Sequence, residues 1–301
     1  MDIAVALGGG GIRGLAHIGV LSVLEREGFR IRGIAGTSMG GIIAAWYAAG
    51  KSPAEMQALA EATSPRDLLH VRPGAAGMIG IDHIADLLHT VLGRRRFDDM
   101  RIPLAVTAAD LNTGREVVLT EGAVADAVLA TIALPGVFPP QLLGKYRLID
   151  GGALDPVPVC PARKLFDGPV IAVALSPEPE RWAQTKSPSP LGDLPGLQVL
   201  SRLRPGQALQ VFLDSTEIML RTYTELRLQI DKPEVIVRPE VWHVGMLQET
   251  SVAPMVAKGV EAMEGCLGKA RDQFTPGRRA GRSLRSLFTP ARRKEADGPA
   301  A

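Results

Sequence analysis

Residues Gly36-Thr37-Ser38-Met39-Gly40 form a G-x-S-x-G pentapeptide. This pattern sets a serine hydroxyl at the apex of a strained strand-to-helix turn, with small residues on either side so that helix and strand can approach. The flanks fit that geometry. Arg30 to Ala35 is short and mostly apolar, as a buried strand would be, and Gly41 to Gly50 reads as a helix closed by a glycine. Ser38 is therefore the candidate nucleophile.

A nucleophile of this kind needs a place for the oxyanion. The apolar strand Ile3 to Leu7 runs into Gly8-Gly9-Gly10-Gly11-Ile12-Arg13-Gly14 and then a helical stretch from Leu15 to Arg26. Bare amides at a helix start, reinforced by the helix dipole, bind anions and can stabilise a tetrahedral intermediate. The expected donors are the amides of Gly9, Gly10 or Gly11, with help from Met39. A rival reading comes from Gly9-x-Gly11-x-x-Gly14, which satisfies the dinucleotide-binding fingerprint literally. That fingerprint requires an acidic residue about 20 positions later at the end of the second strand. Here that strand ends in Ala35-Gly36-Thr37-Ser38, and no phosphate loop with a Gly-Lys-Ser/Thr ending occurs.

Lys145-Tyr146-Arg147-Leu148-Ile149-Asp150-Gly151-Gly152 puts an aspartate at a strand end, with two glycines leaving its carboxylate uncovered. Asp150 is the best partner for Ser38, although Asp-Gly-Gly alone also describes an ordinary tight turn. Of the five histidines, only His243 follows Asp150, so only it could complete a Ser-Asp-His order. Its bland reading is a polar loop residue, and His17 reads as packing or hydrogen bonding near the glycine loop. Arg13 could hold a headgroup phosphate or could pin the loop through its carbonyls. Asp110, in Thr107 to Gly114, reads as a loop organiser.

Taken together, these blocks resemble the patatin-like phospholipases, of the small bacterial type related to the catalytic domain of neuropathy target esterase. The resemblance rests on the glycine loop Gly9 to Gly14, the turn Gly36 to Gly40, Asp150-Gly151-Gly152, and the segment Ala130 to Pro139 with its Pro135 and Phe138. It covers roughly residues 1–175. It implies a three-layer α/β/α fold with a mainly parallel central sheet, and a Ser38-Asp150 dyad that works without histidine. The implied activity is acyl hydrolysis of phospholipids or lysophospholipids without a cofactor or metal. The alternatives are a non-enzymatic lipid-binding or regulatory protein on the same fold, or an esterase or thioesterase for small molecules. For the dyad to work near neutral pH, burial should raise the carboxylate's pKa.

The elements that must position these residues are legible in the pattern. Strands are expected at 2–7, 31–36, 102–109, 115–119, 145–149, 169–175 and 234–238, alternating with helices as a parallel sheet requires. Ser52-Pro53-Ala54-Glu55 has the form of a capping box opening a helix to about Ala62, and another helix runs from Asp82 or His83 to Leu92 before Gly93. With 301 residues and 46% hydrophobic content, the chain can bury one large core. One hydrolase domain is expected over 1–275. Within it, 177–207 is either a flap over an acyl-chain site or a plain surface loop, leading into a helix from about Gln207 to Ile230.

Seven basic and two acidic residues follow Thr275, and they turn a core of net −3 into a chain of net +2. Leu284, Leu287 and Phe288 stand among those arginines, so the tail 276–301 reads as a flexible basic segment that could rest on an anionic membrane. It lacks the aromatic interleaving that nucleic-acid binding would call for. Cys160 and Cys266 lack paired spacing, which suggests a reducing compartment and no metal site. No basic leader precedes the first strand, and no apolar run approaches ~18 residues. A cytoplasmic protein, in peripheral contact with the inner membrane surface if the tail binds lipid, is the expectation.

Overall fold

The computed structural model describes residues 1–63, 70–71, 79–184 and 204–275. In chain order the strands are β1 (Asp2–Leu7), β2 (Arg30–Thr37), β3 (His70–Val71), β4 (Ile79–Gly80), β5 (Leu104–Asp110), β6 (Arg115–Leu119), β7 (Gln141–Leu143), β8 (Tyr146–Asp150), β9 (Val170–Val173) and β10 (Val235–Val237). The helices are α1 (Ala16–Arg26), α2 (Met39–Ala48), α3 (Pro53–Ala62), α4 (Asp82–Leu92), α5 (Val124–Thr131), α6 (Val159–Leu165), α7 (Arg204–Asp231) and α8 (Val252–Asp272).

Eight strands form the central sheet in the order β10-β9-β1-β2-β5-β8-β7, with β6 also paired to β5. From β10 to β5 the pairing is parallel, whereas β6, β7 and β8 are antiparallel. β3 and β4 pair apart from this sheet.

Side-chain alternation along the inner strands builds three layers. Ile3, Val5 and Leu7 of β1 enter the larger core, with Ile18 and Leu21 of α1 and Ile43 of α2. Ala4 and Ala6 point to the opposite face, against Val159 and Ala162 of α6 and Leu228 of α7. β9 repeats the division, sending Ile171 and Val173 one way and Val170 and Ala172 the other. A parallel sheet covered on both faces needs apolar residues at every position, which explains the continuous apolar runs in its strands.

Local signals hold where they were strong. Ser52 and Glu55 form the reciprocal capping box, and α3 runs to Ala62 as expected. α4 stops at Gly93, whose φ of 62° suits glycine. The helix after the pentapeptide begins at Met39 rather than Gly41, directly behind Ser38. The expected first helix, Leu15 to Arg26, is α1 from Ala16 on, preceded by a 3-10 turn at Gly11–Leu15. α7 starts at Arg204, inside the 177–207 segment, and a 3-10 turn occupies Pro179–Gln184. Residues 185–203, the rest of that segment, and the tail 276–301 lie outside the described residues.

Candidate active site

Ser38 stands between β2 and α2 with φ 55° and ψ −127°, a left-handed conformation that non-glycine residues rarely adopt. The surroundings hold it there. A Cβ at Gly36 would collide with the Gly40 carbonyl, and one at Gly40 would collide with the carbonyl of Leu7, so both positions must lack side chains. Thr131 Oγ1, at the end of α5, accepts the Ser38 N–H at 2.8 Å.

Asp150 arrives from the far side of β5, at the end of antiparallel β8, which pairs Asp150 with Ala108. Its carboxylate is buried and accepts the Gly152 N–H at 2.8 Å. Burial pushes its pKa up from 3.8 to about 6, and hydrogen bonds from the Ser38 side chain and the Gly152 amide partly offset that rise. The two residues the sequence singled out, 112 positions apart, line the same cavity.

The glycine loop lies against the same turn, with the Cβ position of Gly9 only 3.2 Å from Ser38 Cβ. Its amides are not equivalent. The Gly9 N–H donates to the Pro156 carbonyl at 2.9 Å, so it is already engaged and drops out of the expected donor set. Among the described residues, the amides of Gly10, Gly11 and Met39 donate to no protein acceptor. Gly10, with φ 157°, packs on Leu175, and Gly11, with φ 59°, lies against Met246. These unclaimed N–H groups border the cavity that contains Ser38.

Arg13 faces away from this cavity. Its buried guanidinium donates from Nε to the Val244 carbonyl and from one terminal nitrogen to the Trp242 carbonyl, and it pairs with Glu217 of α7 at 3.0 Å. All three nitrogens are engaged within the protein. His17 is buried, and its Nε2 lies 2.8 Å from the Gly8 carbonyl, so Nε2 carries the proton. Burial lowers its pKa to about 4 and keeps it neutral. His243 is exposed and does not line the cavity. Asp110 accepts from the Thr113 hydroxyl and from the Asn112 and Arg147 amides, organising the β5–β6 turn.

The cavity measures about 890 Å³, and its walls are mainly apolar, with Ile42, Trp46, Leu88 and Phe138 among them. α7 closes one side through Phe212, Met219, Leu220 and Tyr223. Among the described residues no cluster of His, Cys, Asp and Glu is disposed to hold a metal ion, and no helix is long and apolar enough to cross a membrane. Three residues that support the site were not singled out from the sequence: Thr131, Thr107 and Asp155. Each lies far in sequence from the turn it supports, although Thr131 falls within the segment Ala130 to Pro139 and Thr107 opens the segment Thr107 to Gly114.

The family model for patatin-like phospholipases matches residues 5–163. An uncharacterized NTE family protein of Mycobacterium tuberculosis is 37% identical over 177 residues, 58% of this chain and 49% of that protein. The uncharacterized protein YqhO of Bacillus subtilis is 34% identical over 211 residues, 59% of this chain and 72% of that one. Patatin-like phospholipase domain-containing protein 6 of Mus musculus is 29% identical over 186 residues, 59% of this chain but 14% of its own length. The crystal structure of VipD from Legionella pneumophila aligns with 89% of this chain and 66% of its own at a TM-score of 0.46 and 12% identity. The match thus spans about half the length of the mycobacterial relatives. With more than half of its residues under the family model, the chain belongs to the patatin-like phospholipase family.

Proposed function

We propose that the chain is a serine acyl hydrolase that cleaves carboxylic esters of phospholipids or lysophospholipids through a Ser38-Asp150 dyad. The observation that carries this reading is a hydroxyl in a strained turn that shares a largely apolar cavity with a buried carboxylate and with unclaimed amides. Asp150, raised to about 6, is still ionised at neutral pH yet more basic than a free aspartate. Ser38 Oγ attacks the ester carbonyl while Asp150 takes its proton. The oxyanion rests on the amides of Gly10, Gly11 and Met39. Collapse breaks the C–O bond to the alcohol, which leaves with the proton from Asp150. Water then attacks the acyl-enzyme by the same proton path, releasing the acid and restoring Ser38.

The apolar cavity suits an acyl chain, and the wall it shares with α7 leads to solvent. Phe212, Met219 and Tyr223 both line the cavity and are exposed, and Leu226 and Ile230 continue the stripe at helical spacing. This favours a substrate delivered from a lipid surface, with the basic tail as a second point of contact. The hydrolase domain spans 1–275, since α8 packs on α1 and β10 closes the sheet. Cys160 and Cys266 are free thiols, in keeping with a reducing, cytoplasmic setting and peripheral membrane contact.

The test is labelling of the folded protein with a fluorophosphonate, followed by peptide mapping and assays on a lysophospholipid and a short soluble ester. Label on Ser38 with fatty acid release supports the reading, and Ser38→Ala and Asp150→Asn should each abolish turnover while remaining folded. Turnover of the short ester alone would favour a small-molecule esterase. A folded protein that neither labels nor turns over either substrate would favour the regulatory alternative.

A further inference from the structure

A second buried polar cluster lies directly behind the nucleophile turn. The Asp155 side chain is wholly buried, and neither of its oxygens has an aligned hydrogen-bond donor. Arg227 of α7 approaches it at 3.1 Å, and the same guanidinium stands 3.2 Å from Asp231 and 3.9 Å from Glu116 of β6. Cys160 of α6 donates to Asp231 at 3.1 Å. Three carboxyl groups thus share one cation. Full ionisation would leave two negative charges uncompensated in a poorly solvated site, an arrangement that proteins relieve by keeping a proton on one of the acids.

The backbone of the same segment supports the catalytic loops. The Asp155 carbonyl accepts the Thr37 hydroxyl at 2.8 Å, and Thr37 Oγ1 also meets Thr107 Oγ1 at 2.6 Å. Thr37 immediately precedes Ser38. The next carbonyl, of Pro156, takes the Gly9 amide at 2.9 Å, which sets the start of the anion-binding loop. One short segment therefore carries both halves of the site on its backbone, while the Asp155 side chain reaches the helix that walls the cavity.

We propose that Asp155 is a positioning residue for Ser38, tethering α7 through Arg227 and the nucleophile turn through Thr37. This role rests on the reading of Ser38 as nucleophile. The groups that face the Asp155 carboxyl are Glu116 from β6, Arg227 and Asp231 from α7, and Cys160 from α6. Burial raises its pKa most, the Glu116 charge adds to that, Arg227 opposes it and Asp231 raises it further. Asp155 thus holds its proton well above the usual carboxylate range. Ionisation on the alkaline side adds an unmatched charge beneath the turn, and kcat falls there.

The experiment measures kcat and KM for a short soluble ester from pH 6 to 10 in the wild type and in Asp155→Asn, Asp155→Ala and Glu116→Gln. Asp155→Asn, a neutral isostere, keeps kcat within about threefold at pH 7 and lacks the alkaline fall of the wild type. Asp155→Ala loses at least about tenfold in kcat with KM changed less than about twofold, and the Asn variant is the conservative rescue. Glu116→Gln removes a negative neighbour and moves the alkaline fall to lower pH. An active wild type whose Asp155→Ala variant has unchanged kcat, or whose Asp155→Asn variant keeps the alkaline fall, overturns this role alone. A wild type that neither labels with a fluorophosphonate nor hydrolyses the ester overturns the hydrolase reading and this role together.

Melting curves provide a readout independent of turnover if Asp155→Ala does not fold. A carboxyl with a raised folded pKa contributes stability that is present at low pH and lost as pH rises through that pKa. Asn does not titrate, so Asp155→Asn should gain on the wild type between pH 5 and pH 9. A constant difference across that range would overturn the protonated state on which the pH dependence depends.

Discussion

Thr131 Oγ1 accepts the backbone N–H of Ser38 at 2.8 Å, joining the end of α5 to the strained residue from 93 positions away. The bond satisfies an amide that the left-handed turn removes from the sheet ladder, and it fixes the direction of the Ser38 side chain. Thr131→Val keeps the shape and removes the acceptor. Leaving the amide unsatisfied should cost about 1–3 kcal/mol of stability. A small rotation of the turn also misplaces the proposed nucleophile, so kcat should fall by roughly 10- to 100-fold. Thr131→Ser keeps the hydroxyl and should restore most of both. Denaturant melts and ester kinetics on the two variants check this, and a fully active Thr131→Val protein would show that the glycines alone hold the turn.

In the proposed mechanism the buried carboxylate sets the acid side of the pH profile. Asp150 must be ionised to accept the serine proton, and its pKa stands near 6. In the free enzyme kcat/KM should rise with pH through about 6, to a plateau that ends on the alkaline side where Asp155 ionises. The stability effect has the opposite sign. A raised folded pKa means a stabilising contribution present below the unfolded value of 3.8 and lost as pH rises through about 6. Asp150→Asn removes that loss and should be the more stable protein at pH 8, by up to roughly 3 kcal/mol, with the gap closing toward pH 4. Melting curves of both proteins at the two pH values measure it.

The contrast between Thr131 and Ser38 also shows which parts of the site a sequence displays. Ser38, Asp150 and the glycine loop announce themselves because each sits in a short turn whose small residues are needed for local backbone reasons. Thr131, Thr107 and Asp155 act through single hydrogen bonds or ion pairs to distant segments, and nothing in their own neighbourhoods demands them. The same limit applies to the donor set. Which of the glycine amides is free depends on Pro156, nearly 150 residues away, and its carbonyl claims Gly9. In the fold, the long buried strands were clear from apolar runs. β7 was not, because three residues show no period, although Gly144, with φ 56°, marks the hairpin turn into β8. The helix after Ser38 starts two residues early because Ser38 itself takes the N-cap position.

Arg13 offers a separable test of structure against headgroup recognition. Its three nitrogens reach Val244, Trp242 and Glu217, so it ties the loop that carries the anion-binding amides to α7 and to residues 242–244. Arg13→Met removes one partner of the buried Glu217, which also pairs with Arg221 at 2.8 Å, and takes the donors from the Val244 and Trp242 carbonyls, so it should destabilise the fold by about 1–3 kcal/mol. Lysine cannot reproduce the fork, so Arg13→Lys should rescue little. Any loss of activity should be equal for a phospholipid and for an uncharged ester. A selective rise in KM for the phospholipid would instead identify Arg13 as a phosphate ligand.

Two features compete as the proposed contact with lipid, and salt separates them. The tail carries seven basic residues, and attraction to an anionic bilayer weakens as ionic strength rises. The α7 stripe is apolar; Leu226 is 49% and Ile230 71% exposed, and neither lines the cavity. Burial of those side chains in a bilayer surface should be worth about 1.5–3 kcal/mol each and should be insensitive to salt. Because the stripe continues from Phe212, Met219 and Tyr223 at the cavity wall, a molecule leaving the bilayer there reaches Ser38 without crossing open water. Leu226→Glu with Ile230→Glu should therefore abolish sedimentation with phosphatidylcholine vesicles and reduce hydrolysis of vesicle lipid at least about tenfold, while turnover of a short soluble ester is unchanged. Deletion after Thr275 should reduce binding only to anionic vesicles and only at low salt. If the double variant binds zwitterionic vesicles as well as the wild type does, the stripe is not the docking face. A wild-type dimer that the double variant converts to monomer would assign the stripe to a second copy of the chain instead.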